Sequence, residues 1–312
     1  MKKSTITYLA SVITCMLLLL SCNNNNTPVK QATDSPTQGT INISVDESFK
    51  PVIEQQIKIY EADYPGTKII AHYKSEADCF RDLYYDSATR MVIVTRGVSS
   101  KEAKYFNDTL AYVPSSEPIA WDAITVVVNK NNPDTVFSQE DLRNLLTGKG
   151  NKKNKIVFDG LNATSTVRFI TDSILKGQPF DTAVVKAAKT SEEVLKYVAE
   201  DNTAIGLVGI SWIGNPEEKT QVEMLKKIKI AYVKCNVCDS TPYVKPTQAS
   251  ILTKRYPLVR GLYYILKENY SGLGSGFAGF LKYERGQLVF RRAYLGPRMD
   301  FEIRSVRIKE KL

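Results

Sequence analysis

With 312 residues, 43% of them hydrophobic and 24% charged, the chain has material for one large domain or for two lobes that each bury a core. Its formal net charge is +9 and its pI about 9.1, but the basic residues lie in mixed Lys/Glu segments, a solvated surface suited to steering small anions. A single histidine, His72, and five cysteines without a second closely spaced pair exclude a closed zinc site of the usual ligands, and an export signal at the N-terminus argues against a nucleic-acid partner.

The chain opens with Met1-Lys2-Lys3 and an apolar run from Tyr8 to Leu20. That run is shorter than the ~20 apolar residues of a spanning helix, so residues 1–21 are expected to be a secretory signal peptide. Leu19-Leu20-Ser21-Cys22 resembles the lipobox of bacterial lipoproteins, in which the cysteine becomes the acylated first residue of the mature chain. A plain uncleaved anchor is the alternative. Loss of Lys2 and Lys3 takes the net charge from +9 to +7. Residues 22–39, polar and without a hydrophobic period, are expected to form a flexible tether.

Thr40 to Val45 alternates with period two and predicts the first strand. Asp46-Glu47-Ser48 then begins a helix whose apolar face is Phe49, Ile53, Ile57, Tyr60 and Tyr64, ended by Pro65-Gly66. Thr67 to Tyr73 is a second strand, followed by Lys74-Ser75-Glu76-Ala77 and a helix towards Asp86 in which Cys79 is a buried small hydrophobe. Met91 to Thr95 is a nearly continuous apolar strand with Arg96 at its carboxyl end. Strand and helix in alternation predict a doubly wound α/β fold, in which ligands collect outside the carboxyl ends of strands. Ser48, Ser75, Thr95 and Arg96 stand at those ends; each alone would be a cap or surface residue, but together they mark a candidate site.

After a strand at Ala120 to Asn129 and a turn at Lys130 to Pro133, the alternation resumes with a helix from Ser138 to Thr147. Ile156-Val157-Phe158 then stops in a Gly/Asn loop that ends in Thr164-Ser165-Thr166, with Val167, Ile170 and Ile174 at helical spacing beyond. Three hydroxyls at a helix start, with Arg168 one turn in, are either a plain N-cap or part of an anion site built on free N–H groups and the helix dipole. Helices are expected at 181–188 and 191–199, and strands at 205–208, 227–233 and 262–266. Cys235 and Cys238 form a local disulfide or remain two free thiols. Gly272 to Phe277 is a helix entry, and the remainder holds a helix and a final basic strand or tail.

In this order, several segments resemble the periplasmic phosphate-binding proteins of ABC transporters, with the type II solute-binding fold, over the whole chain after the tether. They are Asp46-Glu47-Ser48-Phe49-Lys50-Pro51, Tyr73-Lys74-Ser75-Glu76-Ala77, Val94-Thr95-Arg96 and Pro118 to Ile124, then Asp141-Leu142 through Leu146-Thr147-Gly148-Lys149, Ala204-Ile205-Gly206, Tyr256-Pro257-Leu258 and Ser271 to Gly274. The resemblance implies two doubly wound lobes, 40–123 with 246–312 and 124–245, closing on an oxyanion. Ser48 and Phe49 match the family's Thr-Phe, Ser75 its second-strand serine, and Thr164-Ser165-Thr166 its Ser-Gly-Thr loop, here without the glycine. Arg96 departs from the pattern, since many members carry an aspartate near that position to accept the proton of hydrogenphosphate. The acceptor would then be Asp46 or Glu47, with Arg96 as counter-ion or in a surface ion pair. The resemblance also implies a lipid-anchored monomer in the cell envelope, without cofactor or metal. It would pass phosphate or a related oxyanion to a membrane transporter. An exported phosphatase-type enzyme is the alternative, against which stand one strand histidine and no GxSxG elbow. A scaffold or adhesion lipoprotein that kept the fold without the ligand is a third reading.

Overall fold

The computed structural model describes residues 34–151, 153–160, 164–239 and 243–299. The expected signal peptide, Cys22 and residues 22–33 lie outside them, as do Leu161, Asn162 and Ala163. Residues 34–39 are not loose, contrary to the expected tether. The Asp34 carboxylate accepts from Leu273 N and the Tyr270 hydroxyl, both at 2.7 Å, and lies 3.5 Å from Arg90 Nη2. Tyr60 Oη also donates to Pro36 O. A buried carboxylate shared between a helix start and a guanidinium fixes this stretch to the body.

β1 (Gly39–Asp46) passes through a single 3-10 turn (Glu47–Phe49) into α1 (Lys50–Asp63), with Pro51 in the first turn where an N–H has no helical partner anyway. β2 (Thr67–Lys74), α2 (Glu76–Tyr85), β3 (Thr89–Val94) and α3 (Ser100–Leu110) complete the first run of alternation. α3 was not expected; its signature is the capping box of Ser99 and Glu102. Next come β4 (Ser115–Asn129), β5 (Val136–Phe137), α4 (Gln139–Leu146), β6 (Lys155–Asp159) and α5 (Ser165–Phe169), which continues as a π-helical turn through Leu175. β7 (Val185–Ala188), α6 (Ser191–Glu200), β8 (Ala204–Gly209) and a 3-10 turn (Ile210–Trp212) come after these, then α7 (Lys219–Leu225), β9 (Ile228–Ile230), β10 (Tyr232–Lys234) and β11 (Tyr243–Val244). The chain closes with α8 (Gln248–Leu252), β12 (Val259–Leu266), α9 (Leu273–Lys282), α10 (Glu284–Arg292) and β13 (Gly296–Pro297).

The main sheet runs β2-β1-β3-β12-β4-β8-β6-β7, with β9 and β13 also paired to β4. β1 is parallel to β2 and β3, and β6 to β7 and β8, whereas β12 and β4 run antiparallel to their neighbours. β4 changes partner along its length: residues up to Ala123 pair with β12 and those from Ile124 with β8, so one strand belongs to two half-sheets. The fold is thus mixed α/β with one strand common to both halves. A large apolar core fills both halves, and a smaller cluster of Cys79, Phe80, Leu83, Val92, Val94, Phe106 and Ile265 sits under α2 and α3.

Other elements also differ from expectation. The segment expected as a helix at 181–188 ends in strand β7, because the open edge of β6 offers a parallel ladder from Ile156–Val185 to Asp159–Ala188, which overrides local helix propensity. The strand expected at 227–233 is divided at Ala231, where the chain leaves β4 for a small sheet with β5 and β11. β4 starts five residues before Ala120, since Pro118 falls where the ladder to β12 shifts register and needs no donor. The C-terminal part holds two helices rather than one: at Gly286 a Cβ would stand 2.3 Å from Phe280 O, so only glycine lets α10 fold back this tightly.

The glycine-rich helix entry at α9 is filled from within: Gly274 N and Ser275 N donate to the two oxygens of Glu268, at 2.9 and 2.8 Å. Cys235 and Cys238 are joined in a disulfide, and Arg255 Nε donates to Cys238 Sγ at 3.3 Å. Cys79 is buried, and burial pushes its thiol far above the usual range. Among the described residues no helix is long and apolar enough to cross a membrane.

Candidate anion site

The carboxyl ends of β1 and β6, from the two half-sheets, meet over the pair Asp122 and Arg260. These two residues are directly opposite each other on β4 and β12, and Arg260 Nε donates to Asp122 Oδ2 at 2.8 Å. Both are buried, Arg260 with 5% of its surface exposed. Arg260 Nη1 reaches on to Ser165 Oγ (2.8 Å) and Thr166 Oγ1 (3.4 Å), and its guanidinium lies over the Phe49 ring, 5.0 Å from the centroid. Ser48 Oγ donates to Asp159 Oδ2 at 3.3 Å and lies 3.4 Å from Ser165 Oγ. The backbone turns here because Asp46 Oδ1 caps Ser48 N (3.1 Å) and Ser211 Oγ donates to Ser48 O (3.1 Å). Gly209 allows the close approach: a Cβ there would come within 3.4 Å of Ser48 O, Arg260 Nη2 and Asp122 Oδ2.

Four buried atoms at this point have no hydrogen-bond partner: Asp46 Oδ2, Asp122 Oδ1, Asp159 Oδ1 and Arg260 Nη2. Burial pushes the Asp159 carboxyl up to about 7, with the charges of Asp46 and Glu47 adding to the rise and Arg260 and Thr166 opposing it. Asp46 is pushed up to about 6, again by burial first, with Arg260 opposing and Glu76 adding. The Ser165 and Thr166 hydroxyls stabilise the charged forms in part without satisfying either open oxygen. Asp122 is also raised by burial, against the pull of Arg260 and nearby backbone N–H groups. The guanidinium of Arg260 stays charged because Asp122 and Asp46 outweigh its own desolvation.

A second constellation lies beside the first. Glu76, at the start of α2, accepts from Thr95 N (2.9 Å), Thr95 Oγ1 (2.5 Å), Arg168 Nε (2.7 Å) and Arg168 Nη2 (3.2 Å). Burial alone would raise this acid, but Arg168 and Thr95 win and hold it below the usual carboxylate range. Glu47 turns away from Asp46 to the start of α6, where it accepts from Ser191 Oγ at 2.8 Å and from Ser191 N.

Of the residues expected at the site, Asp46, Ser48, Phe49, Ser165 and Thr166 are brought together. Thr95 and Arg168 meet each other at Glu76. Ser75 and Thr164 are N-caps, accepting from Asp78 N and Val167 N at 3.2 Å each. Arg96 is placed elsewhere: its fork holds Glu102 at 2.7 and 2.9 Å, it donates to Gly97 O, and it stacks on Phe80. The guanidinium of the site comes instead from Arg260, and its free carboxylates include Asp159 as well as Asp46. The signal that could have found Arg260 is a lone charge inside an apolar strand, matched by Asp122 in another.

The site is closed, its acids, hydroxyls and guanidinium packed on one another. A cavity of about 530 Å³ bounded by Lys50, Lys58, Leu195, Trp212 and Met224 lies apart from this cluster. Because hydrogen bonds to charged groups contribute about 1.5–3 kcal/mol each, replacing Ser165 and Thr166 together by Ala should weaken binding of a buried anion by at least roughly tenfold in titration calorimetry.

Residues 30–284 match a family model described as the PBP superfamily domain. Among solved structures, the chain is similar to one from Clostridium perfringens described as a phosphate ABC transporter substrate-binding protein with bound phosphate. That match has 18% identity and a TM-score of 0.68, covering 84% of this chain and 100% of the other. An ABC-type phosphate transport receptor from Vibrio cholerae matches at 16% identity and TM-score 0.58, over 82% and 99%. The CcmR regulatory domain of Synechocystis in complex with 2-PG matches at 12% identity and TM-score 0.53, over 78% and 96%. At such identities the likeness shows the type II periplasmic-binding-protein fold. No curated protein matches the sequence.

Proposed function

The chain belongs to the family described as the PBP superfamily domain, and from that premise we propose that it is a solute-binding protein for inorganic phosphate or a related oxyanion. It captures the anion between two lobes, 40–123 with 246–312 and 124–245, as a monomer. It then delivers the anion to the membrane component of an ABC transporter. The reading is carried by one meeting of residues: Ser48 from one half-sheet, Ser165 and Thr166 from the other and the buried Arg260, whose Nη2 has no partner. Donors from both half-sheets around a desolvated guanidinium suit a small oxyanion, because each bond to charge is strong there.

Titration of the protein with orthophosphate should give saturable heat at one site per chain. Turnover of a chromogenic phosphate ester would favour the phosphatase-type reading instead, and neither heat nor turnover would favour a scaffold.

The Leu-Leu-Ser-Cys end of the leader supports anchoring through an acylated Cys22. Cys22→Ser should abolish incorporation of a clickable fatty acid in labelled cells; equal labelling of the variant and wild type would refute the anchor.

A further inference from the structure

Hydrogens and acceptors do not balance around Ser48. Besides Asp122 Oδ1, whose carboxylate draws on Arg260 and on the backbone N–H groups of Ala123 and Ile210, two carboxylate oxygens, Asp46 Oδ2 and Asp159 Oδ1, are open against one open guanidinium nitrogen, Arg260 Nη2. Each of these three side chains is at least nine-tenths buried. The charges facing them come from every surrounding element: Glu47 on the turn after β1, Glu76 on α2, Asp122 on β4 and Asp159 on β6, against Arg260 on β12 and Arg168 on α5. Arg168 is matched by Glu76 at 2.7 Å and Arg260 by Asp122 at 2.8 Å. Asp46 and Asp159 are therefore left without a cation of their own. A bare dianion entering here would set acceptor against acceptor at both open oxygens, and hydrogenphosphate, with a single hydrogen, could satisfy only one.

Building on the oxyanion reading, we propose that the site closes on its anion together with one proton more than the free site and free anion carry separately. The preferred substrate class is thus a singly charged, twice-protonated oxyanion, or a dianion bound with a protonated Asp159 or Asp46. The proton comes from the solvent buffer and becomes an O–H shared between a carboxyl oxygen and an anion oxygen; no other bond forms or breaks. Burial weakens Asp159 and Asp46 as acids, to about 7 and about 6, which places such a proton within reach near neutral pH.

The test is calorimetry of the protein with orthophosphate and with sulfate at pH 8, each in two buffers of different ionisation enthalpy. The expected result is uptake of about one proton per anion and an affinity that falls about tenfold per pH unit above 8. Asp159→Asn, which keeps the shape and supplies hydrogens, should suppress the uptake and strengthen sulfate binding at pH 8; Asp46→Asn provides a second variant with the same expected direction. Phosphate binding without proton uptake overturns this inference and leaves the oxyanion reading intact. Uptake that persists unchanged in both variants overturns the assignment to these carboxyls. Absence of heat with both anions overturns the oxyanion reading, and this inference with it.

Discussion

Arg260→Ala should damage both fold and site, lowering unfolding stability by about 3–5 kcal/mol and weakening anion binding by roughly a hundredfold. The stability loss arises because Asp122, which has no exposed surface, would lose the guanidinium bonded to it at 2.8 Å and remain as an uncompensated buried charge. The binding loss arises because the same guanidinium orders Ser165 and Thr166 through Nη1 and leaves Nη2 open for a ligand. The double variant Arg260→Ala with Asp122→Asn separates the two effects. It should recover much of the stability in urea titration and none of the affinity. Recovery of both would mean that Arg260 holds the fold and does not touch the anion.

Asp159→Asn should stabilise the ligand-free protein at pH 8 by up to about 4 kcal/mol, with little effect at pH 4. Burial raises the folded-state value of this acid from 3.8 to about 7. The neutral acid is therefore the favoured buried form. The stability linked to it is complete below the unfolded value and is lost as pH rises through about 7. Asp46, raised to about 6, adds to the same slope, and the two interact, so their effects do not sum. Glu102 and Asp201 work in the other direction. Burial would raise Glu102, but Arg96 and Tyr84 outweigh it and hold the acid down to about 2, and the bond from Lys155 does the same for Asp201. Their contribution is present above the ordinary carboxylate range and lost as pH falls towards about 2. Melting temperatures of wild type and Asp159→Asn should diverge between pH 4 and 7 and run parallel above. A constant difference across that range would show that the carboxyl is not buried as described.

Much of this architecture was legible in the sequence because strands and helices of the first half follow one another cleanly, and the first two strands each end in a polar, capped helix start. Ser48 with Phe49, and Ser165 with Thr166, were visible for that reason: a strand, a turn and a helix N-terminus are local patterns. Arg260 was not, because its meaning lies in an antiparallel register that sets it opposite Asp122, 138 positions away in sequence. Starting β12 at Leu262 instead of Val259 also left Arg260 outside any element. Arg96 was misplaced for a related reason. Without α3 there was no place for Glu102, the glutamate whose capping box with Ser99 sets it against the Arg96 fork. Asp159 closes β6 directly after the apolar run Ile156-Val157-Phe158, and nothing local marks it as a buried acid. Burial of a carboxylate is decided by what packs over it, here the turn of Glu47 to Phe49 from the other half-sheet.

A crystal structure of the protein grown with orthophosphate is the sharpest check on the anion site. One anion is expected in contact with Ser48, Ser165, Thr166 and Arg260 Nη2, with an oxygen of Asp159 or Asp46 within hydrogen-bond distance of it. An anion seated instead on Arg168 and Thr95, or a closed cluster at Arg260 unchanged in saturating phosphate, would contradict the assignment.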